Sequence, residues 1–307
     1  YFTADEYAMY MDSSDNAYVG IGVTILQREE MDGFSIETVT AGGPADVAGV
    51  QVGDILTHVD GENAIELGLT ELVNRVRGEE GTEVALTFIR DDEELELTIL
   101  RASLAEDVAY YQLLEENIGY IGVSNFDSNC ASQTLEAIDQ AIADGADSLI
   151  FDMRSNPGGM ATELVAVLDR LLPEGELFRT VDYAGNETVD MSDEDFLDMP
   201  MVVLVDENSY SAAEFFAAAM QEYEAATIVG AKTTGKGNFQ VTLPLSDGSA
   251  VHLSIGKYYT PNGYSLTETG VTPNVEVVYD YELSEDGELV GYDTQLQAAV
   301  DILTDFP

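Results

Sequence analysis

The stretch MVVLVDENSYSAAEFFAAAMQEYEAATIVGAKT, residues 201–233, contains an apolar run, an alanine-rich segment and a second short apolar run. Short apolar runs favour buried strands, and the longer segment between them has the periodicity of an amphipathic helix. The same rhythm starts at about residue 118, where IGYIGV, ADSLIFDMR and MVVLVD are separated by SQTLEAIDQAIADG and MATELVAVLDRLL. Strands that alternate with helices predict a sheet with helices on its faces.

Residues 18–100 have a different pattern. They hold the short β-type runs YVGIGVTIL, GFSIETV, GDILTHVDG, EVALTFIR and LELTILR, interrupted by AGGPADVAGVQVGD and by the helical LTELVNRVRG. Short runs of this kind, bounded by glycine-rich turns, favour strands. The sequence therefore predicts a mixed α/β protein in which a small mixed β domain precedes a sheet covered by helices.

The charge of the 307-residue chain excludes some partners. The chain has 59 acidic and 11 basic side chains and a formal net charge of -48. Such a surface repels the phosphates of nucleic acids and anionic lipid headgroups, and it keeps the protein soluble. We therefore expect no nucleic acid partner.

Cysteine and histidine are too sparse for a disulfide or a zinc site. The chain has one cysteine, Cys130, and its two histidines, His58 and His252, lie far apart in sequence. We therefore expect neither a structural disulfide nor a zinc site. No apolar run reaches the ~18 residues of a membrane span, so we expect neither a transmembrane helix nor a signal peptide in this sequence. Because the first residue is Tyr1, we expect an upstream segment to have been removed.

The triplet Gly20-Ile21-Gly22 is a candidate binding loop. Glycines on both sides of Ile21 let backbone N–H groups turn toward one point, which is how a loop captures a terminal carboxylate. Glycine in a strand more often marks a bulge. However, GPADVAG and VGDIL follow in an order that resembles a PDZ domain of the bacterial protease type, over residues 18–102. This resemblance implies that the partner is a protein C-terminus.

Ser211 and Lys236 are the candidate catalytic residues. Ser211 begins the alanine-rich helix, where the partial positive charge of a helix N-terminus favours a developing oxyanion. A serine nucleophile needs a base, and neither histidine lies near a suitable loop, so a Ser-His-Asp triad has little support. The alternative is a Ser-Lys pair, because burial in apolar surroundings favours the neutral amine of a lysine. Lys236 stands in the glycine-rich TTGKGNFQ.

Other interpretations of these residues remain open at this point. Ser211 and Glu214 also fit a capping box, in which the serine only caps its helix. A lysine in a glycine-rich loop is commonly a surface charge, and Lys232 is a second lysine in the same loop. Ser209 is a less favoured nucleophile, since its spacing to the candidate base is 27 residues (236 - 209).

Several further motifs resemble the C-terminal processing peptidases, a family of Ser-Lys serine proteases. The lysine follows the serine by 25 residues (236 - 211), as in that family. The matching segments are Ser209–Glu214 for SASxE, Gly235–Gln240 for GKGxxQ, Asp152–Gly159 for DxRxNPGG, Lys257–Gly263 for KYYTPxG, and 270–274 for GVTPN. The resemblance covers nearly the whole chain.

The resemblance implies a role for individual residues. Ser211 becomes the nucleophile, Lys236 the general base, and Gln240 the residue that steadies the lysine. The backbone N–H of Ala212, together with that of Gly158 or Gly159, forms the oxyanion hole. Two residues depart from the family pattern, since Tyr210 stands where a small residue is usual and Thr234 where an aromatic one is frequent.

The resemblance also implies a fold and a function. The expected fold is a crotonase/ClpP-like protease core, residues 103–307, with an inserted PDZ domain, residues 18–102, and an N-terminal remnant, residues 1–17. The expected activity is that of a serine endopeptidase that binds proteins with free, apolar C-termini and hydrolyses them through an acyl-enzyme. The resemblance implies no metal and no organic cofactor. We expect an extracytoplasmic bacterial location, with a membrane tether only through the missing upstream segment.

Two other classes of function are open. One is a catalytically silent scaffold in which only the PDZ domain binds peptide. The other is a crotonase-type acyl-thioester enzyme, because fold does not determine function. The lack of basic residues suited to a nucleotide phosphate argues against the second.

Overall fold

The computed structural model of the chain describes residues 1–27, 33–279 and 293–304. The helices in these residues are α1 (Ala4–Ser14), α2 (Pro44–Ala48), α3 (Ala64–Val76), α4 (Cys130–Ala143), α5 (Ala161–Leu171), α6 (Ala212–Glu222) and α7 (Thr294–Thr304), with a 3₁₀ turn at Glu115–Asn117. The strands are β1 (Ala17–Gly20), β2 (Val23–Gln27), β3 (Phe34–Val39), β4 (Ile55–Val59), β5 (Glu62–Asn63), β6 (Glu83–Arg90), β7 (Glu93–Leu100), β8 (Ala102–Ala105), β9 (Ala109–Leu113), β10 (Ile118–Val123), β11 (Ser148–Asp152), β12 (Gly175–Asp182), β13 (Glu187–Ser192), β14 (Met201–Val205), β15 (Thr227–Gly230), β16 (Asn238–Pro244), β17 (Ala250–Tyr259) and β18 (Val275–Glu276).

The chain divides into two compact units. The smaller unit is Ala17–Glu106, and the larger unit combines Tyr1–Asn16 with Asp107–Pro307. The sequence placed these divisions at 17/18 and 102/103. The second division comes later in the structure because β8 pairs antiparallel with β1, from Ala17↔Ala105 to Gly20↔Ala102.

The smaller unit is built on an antiparallel sheet of strand order β2-β3-β4-β6-β7, with β5 beside β4. In β6 the side chains of Val84, Leu86 and Phe88 are buried, while their neighbours face outward. This alternation arises because successive side chains of a strand point to opposite faces of the sheet. Helices α2 and α3 complete the unit, and the predicted small mixed β domain is confirmed.

The larger unit is built on a sheet of order β18-β15-β14-β11-β10-β9, in which only β9 is antiparallel to its neighbour. Both faces are covered. Leu149 and Phe151 of β11 pack with residues of α4, α5 and α6, whereas Ile150 packs on the opposite face with Ala299 and Leu303 of α7. A strand buried on both faces is apolar at every position, which is why its sequence is a continuous apolar run.

A second sheet in the larger unit has the antiparallel order β13-β12-β17-β16. The N-terminal segment belongs to this unit, since Phe2 forms an antiparallel bridge with Ala250 of β17. Strands β10, β11, β14 and β15 run parallel, so the loops at their carboxyl ends lie along one edge of the sheet. In open α/β sheets that edge is where ligands bind.

Candidate active site

Ser211 occupies a strained turn between β14 and α6. Its backbone angles are φ 59° and ψ -118°, a region that residues with a side chain rarely adopt and that costs on the order of 1–3 kcal/mol. The residue lines a cleft of about 640 Å³ in the larger unit. A strained turn from strand to helix is a recurrent way to present a nucleophilic serine.

The neighbouring serine has a different environment. Ser209 is 0% exposed, and its hydroxyl donates to the backbone carbonyl of Met153 at 2.7 Å. The same oxygen accepts a hydrogen bond from the Asp206 N–H at 3.0 Å. Ser209 therefore connects two loops, whereas Ser211 faces the cleft.

Lys236 lines the same cleft as Ser211, while Lys232 is exposed. The ammonium nitrogen of Lys236 lies 5.6 Å from the centroid of the Tyr210 ring, which is the geometry of a cation–π contact. Nζ of Lys236 and Oγ of Ser211, both in the described part of the chain, are not within hydrogen-bonding distance of each other. Catalytic hydrogen bonds are often long before substrate binds and shorten in the complex.

Glu214 joins the serine loop to the lysine loop. Its side chain is 0% exposed, and its Oε2 accepts hydrogen bonds from the backbone N–H of Ser211 at 3.0 Å and of Lys236 at 2.9 Å. Its Oε1 accepts from the Thr233 hydroxyl at 2.6 Å and from the Gly235 N–H at 2.5 Å. The sequence indicated only the capping contact with Ser211. The contacts of Glu214 with Thr233, Gly235 and Lys236 depend on a loop about 20 residues further along the chain.

Tyr258 holds the backbone of Lys236 from the other side. Its hydroxyl donates to the Lys236 carbonyl, and its ring contacts those of Phe178 and Phe215 at centroid distances of 5.5 and 5.7 Å. Burial raises the pKa of the Tyr258 hydroxyl, and the charge of Glu214 raises it further. The phenol is therefore a neutral donor. Its only signal in the sequence was the KYYTP motif.

The two glycines of the candidate oxyanion hole differ in their hydrogen bonds. A Cβ on Gly158 would lie 2.7 Å from Cβ of Ser211, so only glycine allows this approach. However, the Gly158 N–H already donates to Oδ1 of Asn156 at 2.8 Å. The exposed Gly159 lines the cleft, and its N–H donates to no group in the described residues, nor does that of Ala212.

Gln240 and His252 also line the cleft. The side-chain amide of Gln240 donates to Ser254 Oγ at 3.4 Å and not to Lys236. Nδ1 of His252 lies 2.8 Å from Thr242 Oγ1. Burial lowers the pKa of His252, and the positive charge of Lys236 lowers it further. The sequence did not place this imidazole near the serine, because His252 on β17 comes 41 residues later in the chain (252 - 211 = 41).

Other chemistry finds little support in the part of the chain that the structure describes. No group of three or more His, Cys, Asp or Glu side chains there has the arrangement of a metal site. Burial raises the pKa of Cys130 to about 12, so the thiol stays protonated. Among the described helices, none combines the length and apolar character needed to cross a bilayer.

The Gly20-Ile21-Gly22 loop lies in the smaller unit. The Ile21 side chain is 1% exposed, and its carbonyl accepts a hydrogen bond from the Ala45 N–H at 2.9 Å. Within the described residues, the N–H groups of Ile21 and Gly22 donate to no acceptor. Strand β2, which follows the loop, is at the edge of its sheet.

Comparison with known proteins extends these observations. Residues 117–277 match peptidase family S41, and residues 35–90 match the PDZ domain. The chain is 33% identical over 307 residues to a carboxyl-terminal-processing protease of Synechocystis sp., covering 98% of this chain and 72% of that protein. It is 32% identical over 281 residues to a probable CtpA-like serine protease of Staphylococcus haemolyticus, covering 90% of this chain and 56% of that protein.

A solved structure agrees with this relationship. The photosystem II D1 C-terminal processing protease is similar to this chain with a TM-score of 0.55 at 25% identity, covering 98% of this chain and 81% of that one. The family resemblance and the expected fold, a peptidase core with a PDZ domain, are therefore confirmed. The S41 match extends over half of the sequence, and the chain belongs to peptidase family S41.

Proposed function

We propose that this chain is a serine endopeptidase in which Ser211 is the nucleophile and Lys236 the general base. The observation that carries the proposal is the shared carboxylate of Glu214. It holds the backbone of both residues, so that a strained serine at a helix N-terminus and a lysine face one cleft. A serine that only caps its helix does not need a strained backbone at the surface of a cleft.

The proposed reaction follows from these positions. The neutral amine of Lys236 takes the proton of the Ser211 hydroxyl while Oγ attacks the carbonyl carbon of the peptide bond. The N–H groups of Ala212 and Gly159 stabilise the oxyanion, because both residues line the cleft and neither N–H has an acceptor among the described residues. The lysine then gives its proton to the leaving amine, and water attacks the acyl-enzyme with the same lysine as base.

Gln240 has a supporting role in the proposal. It stands on β16 in the wall of the cleft that also holds Lys236. Its present partner, Ser254, accepts a long bond of 3.4 Å that is readily exchanged. We assign it the task of steadying the lysine once substrate has bound.

Labelling by a fluorophosphonate tests the proposal directly. The probe forms a covalent bond with an activated serine, so the wild-type protein should be labelled on the peptide that contains Ser211. The Ser211→Ala variant should not be labelled. A folded wild-type protein that is not labelled would favour the second candidate function, a catalytically silent scaffold. One observation supports that candidate: Lys236 contacts Tyr210 rather than Ser211 in this structure.

We assign the smaller unit to recognition of substrate C-termini. The N–H groups of Ile21 and Gly22, which have no acceptor in the described part of the chain, supply donors for a terminal carboxylate, and the β2 edge can pair with an extended peptide. The preference for apolar C-terminal side chains, expected from the family resemblance, is part of the proposal. An extracytoplasmic location, expected from the family resemblance, is part of the proposal, and cell fractionation tests it.

Amidation of the substrate's C-terminus should weaken its cleavage. Hydrogen bonds to a charged group contribute about 1.5–3 kcal/mol, so we expect a rise of roughly 10- to 100-fold in KM. Gly22→Val should have a similar effect on the free-acid substrate, because φ is 79° and a Cβ would lie 3.1 Å from Thr40 Cβ. Steady-state kinetics on the paired substrates measure both effects.

The control for this experiment is the amidated substrate, on which Gly22→Val and the wild type should behave alike. Equal KM values for the free and amidated substrates in the wild-type protein would remove the C-terminal recognition from the proposal.

Tyr210→Ala should increase the rate modestly. The Lys236 amine must leave the Tyr210 ring before it can reach Ser211, and an exposed cation–π contact contributes about 0.5–1 kcal/mol. Loss of the ring should therefore raise kcat by roughly 2- to 5-fold. Tyr210→Phe keeps the ring and serves as the matched control. A fall in kcat for Tyr210→Ala alone would show that the ring positions the lysine productively.

A further inference from the structure

A reciprocal pair of side-chain amides, Asn16 and Asn125, lies just after the end of α1. Nδ2 of Asn16 donates to Oδ1 of Asn125 at 2.9 Å, and Nδ2 of Asn125 donates back to Oδ1 of Asn16 at 3.0 Å. The Asn16 amide also donates to the Ser128 carbonyl at 2.7 Å. Asn16 is 2% exposed, and it is the last residue of the larger unit before the chain enters the smaller one.

The pair determines the path of the loop after β10. Oδ1 of Asn125 accepts the N–H of Asp127 at 2.9 Å, which gives the loop its turn. The Ser128 N–H donates to the carbonyl of Ser14 at 3.1 Å, at the end of α1. Side-chain and backbone bonds from both sides therefore clamp residues 125–128 against the end of that helix.

The clamped loop carries the backbone that supports Gly159. The Phe126 N–H donates to the Gly158 carbonyl at 2.8 Å, and the Phe126 carbonyl accepts the Met160 N–H at 2.8 Å. A Cβ on Gly159 would lie 2.3 Å from the carbonyl carbon of Phe126. Phe126 therefore holds the peptide groups on both sides of Gly159. The Asn16–Asn125 pair in turn fixes the loop that contains Phe126.

We propose that Asn16 and Asn125 are positioning residues for the reaction, and that they fix the direction of the Gly159 N–H. This inference rests on the proposed function, in which that N–H stabilises the oxyanion. Two amides that bond each other, and also bond the backbone on both sides, form a network that favours one geometry. Donors to an oxyanion act mainly in the transition state, so an error in their position lowers kcat more than it raises KM.

Asn16→Gly and Asn125→Ala test the proposal, together with the double variant. Glycine accommodates the Asn16 φ of 44°, so this change removes the side chain without adding backbone strain. We expect kcat to fall about 10- to 100-fold with KM nearly unchanged. Inhibition by a peptide boronate, which forms a tetrahedral adduct with the serine, should weaken by a similar factor. The double variant should be no worse than the poorer single one, because the two residues act as a unit.

Asn129→Gly is the matched control. It also has a positive φ, of 71°, and its exposed amide makes only a 3.5 Å contact to the Asp15 carbonyl. Its kcat should equal that of the wild type. Thermal unfolding of every variant identifies any loss of fold. Asn16→Asp is a further variant that keeps the size but replaces the Nδ2 donors by an acidic oxygen facing Oδ1 of Asn125 and the Ser128 carbonyl, and it too should lower kcat.

The outcomes separate this inference from the proposed function. A wild-type protein that neither labels with fluorophosphonate nor cleaves peptide overturns both. An active wild type, with folded Asn16→Gly and Asn16→Asp variants that lose thermal stability but keep kcat and boronate affinity, overturns only the positioning role. A rise in KM without a fall in kcat also overturns it, because the loop would then shape substrate binding and not the oxyanion site.

Discussion

Ser211→Ala and Lys236→Ala are each expected to abolish hydrolysis of peptide bonds while the protein stays folded. Removing one member of a catalytic unit costs about as much as removing all of it, so we expect kcat to fall on the order of 10⁴-fold or more in each variant. The double variant should be no slower than either single one. Turnover of an internally quenched peptide, with circular dichroism to check the fold, measures these effects.

Lys232→Ala is the control for the lysine. It removes a positive charge from the same loop, four residues from Lys236, but its side chain is exposed and lies outside the cleft. Its activity should therefore match that of the wild type. If Lys232→Ala were inactive and Lys236→Ala active, the assignment of the base would be wrong.

Glu214→Ala is expected to lower both stability and activity. The change leaves four donors without their acceptor, namely the buried Thr233 hydroxyl and the part-buried N–H groups of Ser211, Gly235 and Lys236. Each unsatisfied buried donor costs about 1–3 kcal/mol, and partial rearrangement reduces the total, so we expect a loss of about 3–5 kcal/mol in the free energy of unfolding. Urea denaturation measures this loss.

The activity of the Glu214 variants reports on the position of the loops. Well below the unfolding temperature, Glu214→Ala should turn over at least about 100-fold more slowly, because the serine and lysine loops lose their common anchor. Glu214→Gln keeps the side-chain volume but turns an amide NH2 group toward groups that are themselves donors. It should therefore be about as slow as Glu214→Ala, and less destabilised.

Glu222→Ala is the matched control on the same helix. Its carboxylate also accepts two hydrogen bonds, from the Thr260 hydroxyl and the Asn262 N–H, both at 2.7 Å. These partners lie in the turn after β17 and not in the lysine loop. We expect a loss of about 1–2 kcal/mol with turnover retained. A Glu214→Ala protein as stable and active as Glu222→Ala would show that Glu214 does not hold the two loops.

The elements of this fold were readable from the sequence because they depend on neighbours along the chain. The apolar runs of β11 and β14 predicted strands in a sheet with helices on its faces, and the run EVALTFIR predicted the strand β6 of the small β domain. The spacing of Ser211 and Lys236 within recognisable motifs predicted which hydroxyl and amine to pair. In each case the signal lies within a few residues or within a motif.

The environment of the candidate site was decided by tertiary structure alone. Ser209 and Ser211 are two residues apart, yet one is buried on the Met153 carbonyl and the other faces the cleft. Asn156 accepts the Gly158 N–H, whereas the Gly159 N–H has no acceptor among the residues that the structure describes.

The strongest links in the site join residues that are distant in sequence. Glu214 reaches Lys236 across 22 positions and Asn16 reaches Asn125 across 109. Local periodicity determines which face of a helix or strand is apolar. It does not determine which buried donor meets which acceptor. That choice follows from how the strands are ordered and how closely the helices pack on them. The sequence alone therefore determined the secondary-structure elements and the chemical class, whereas only the packed chain selected the residues that hold the site in place.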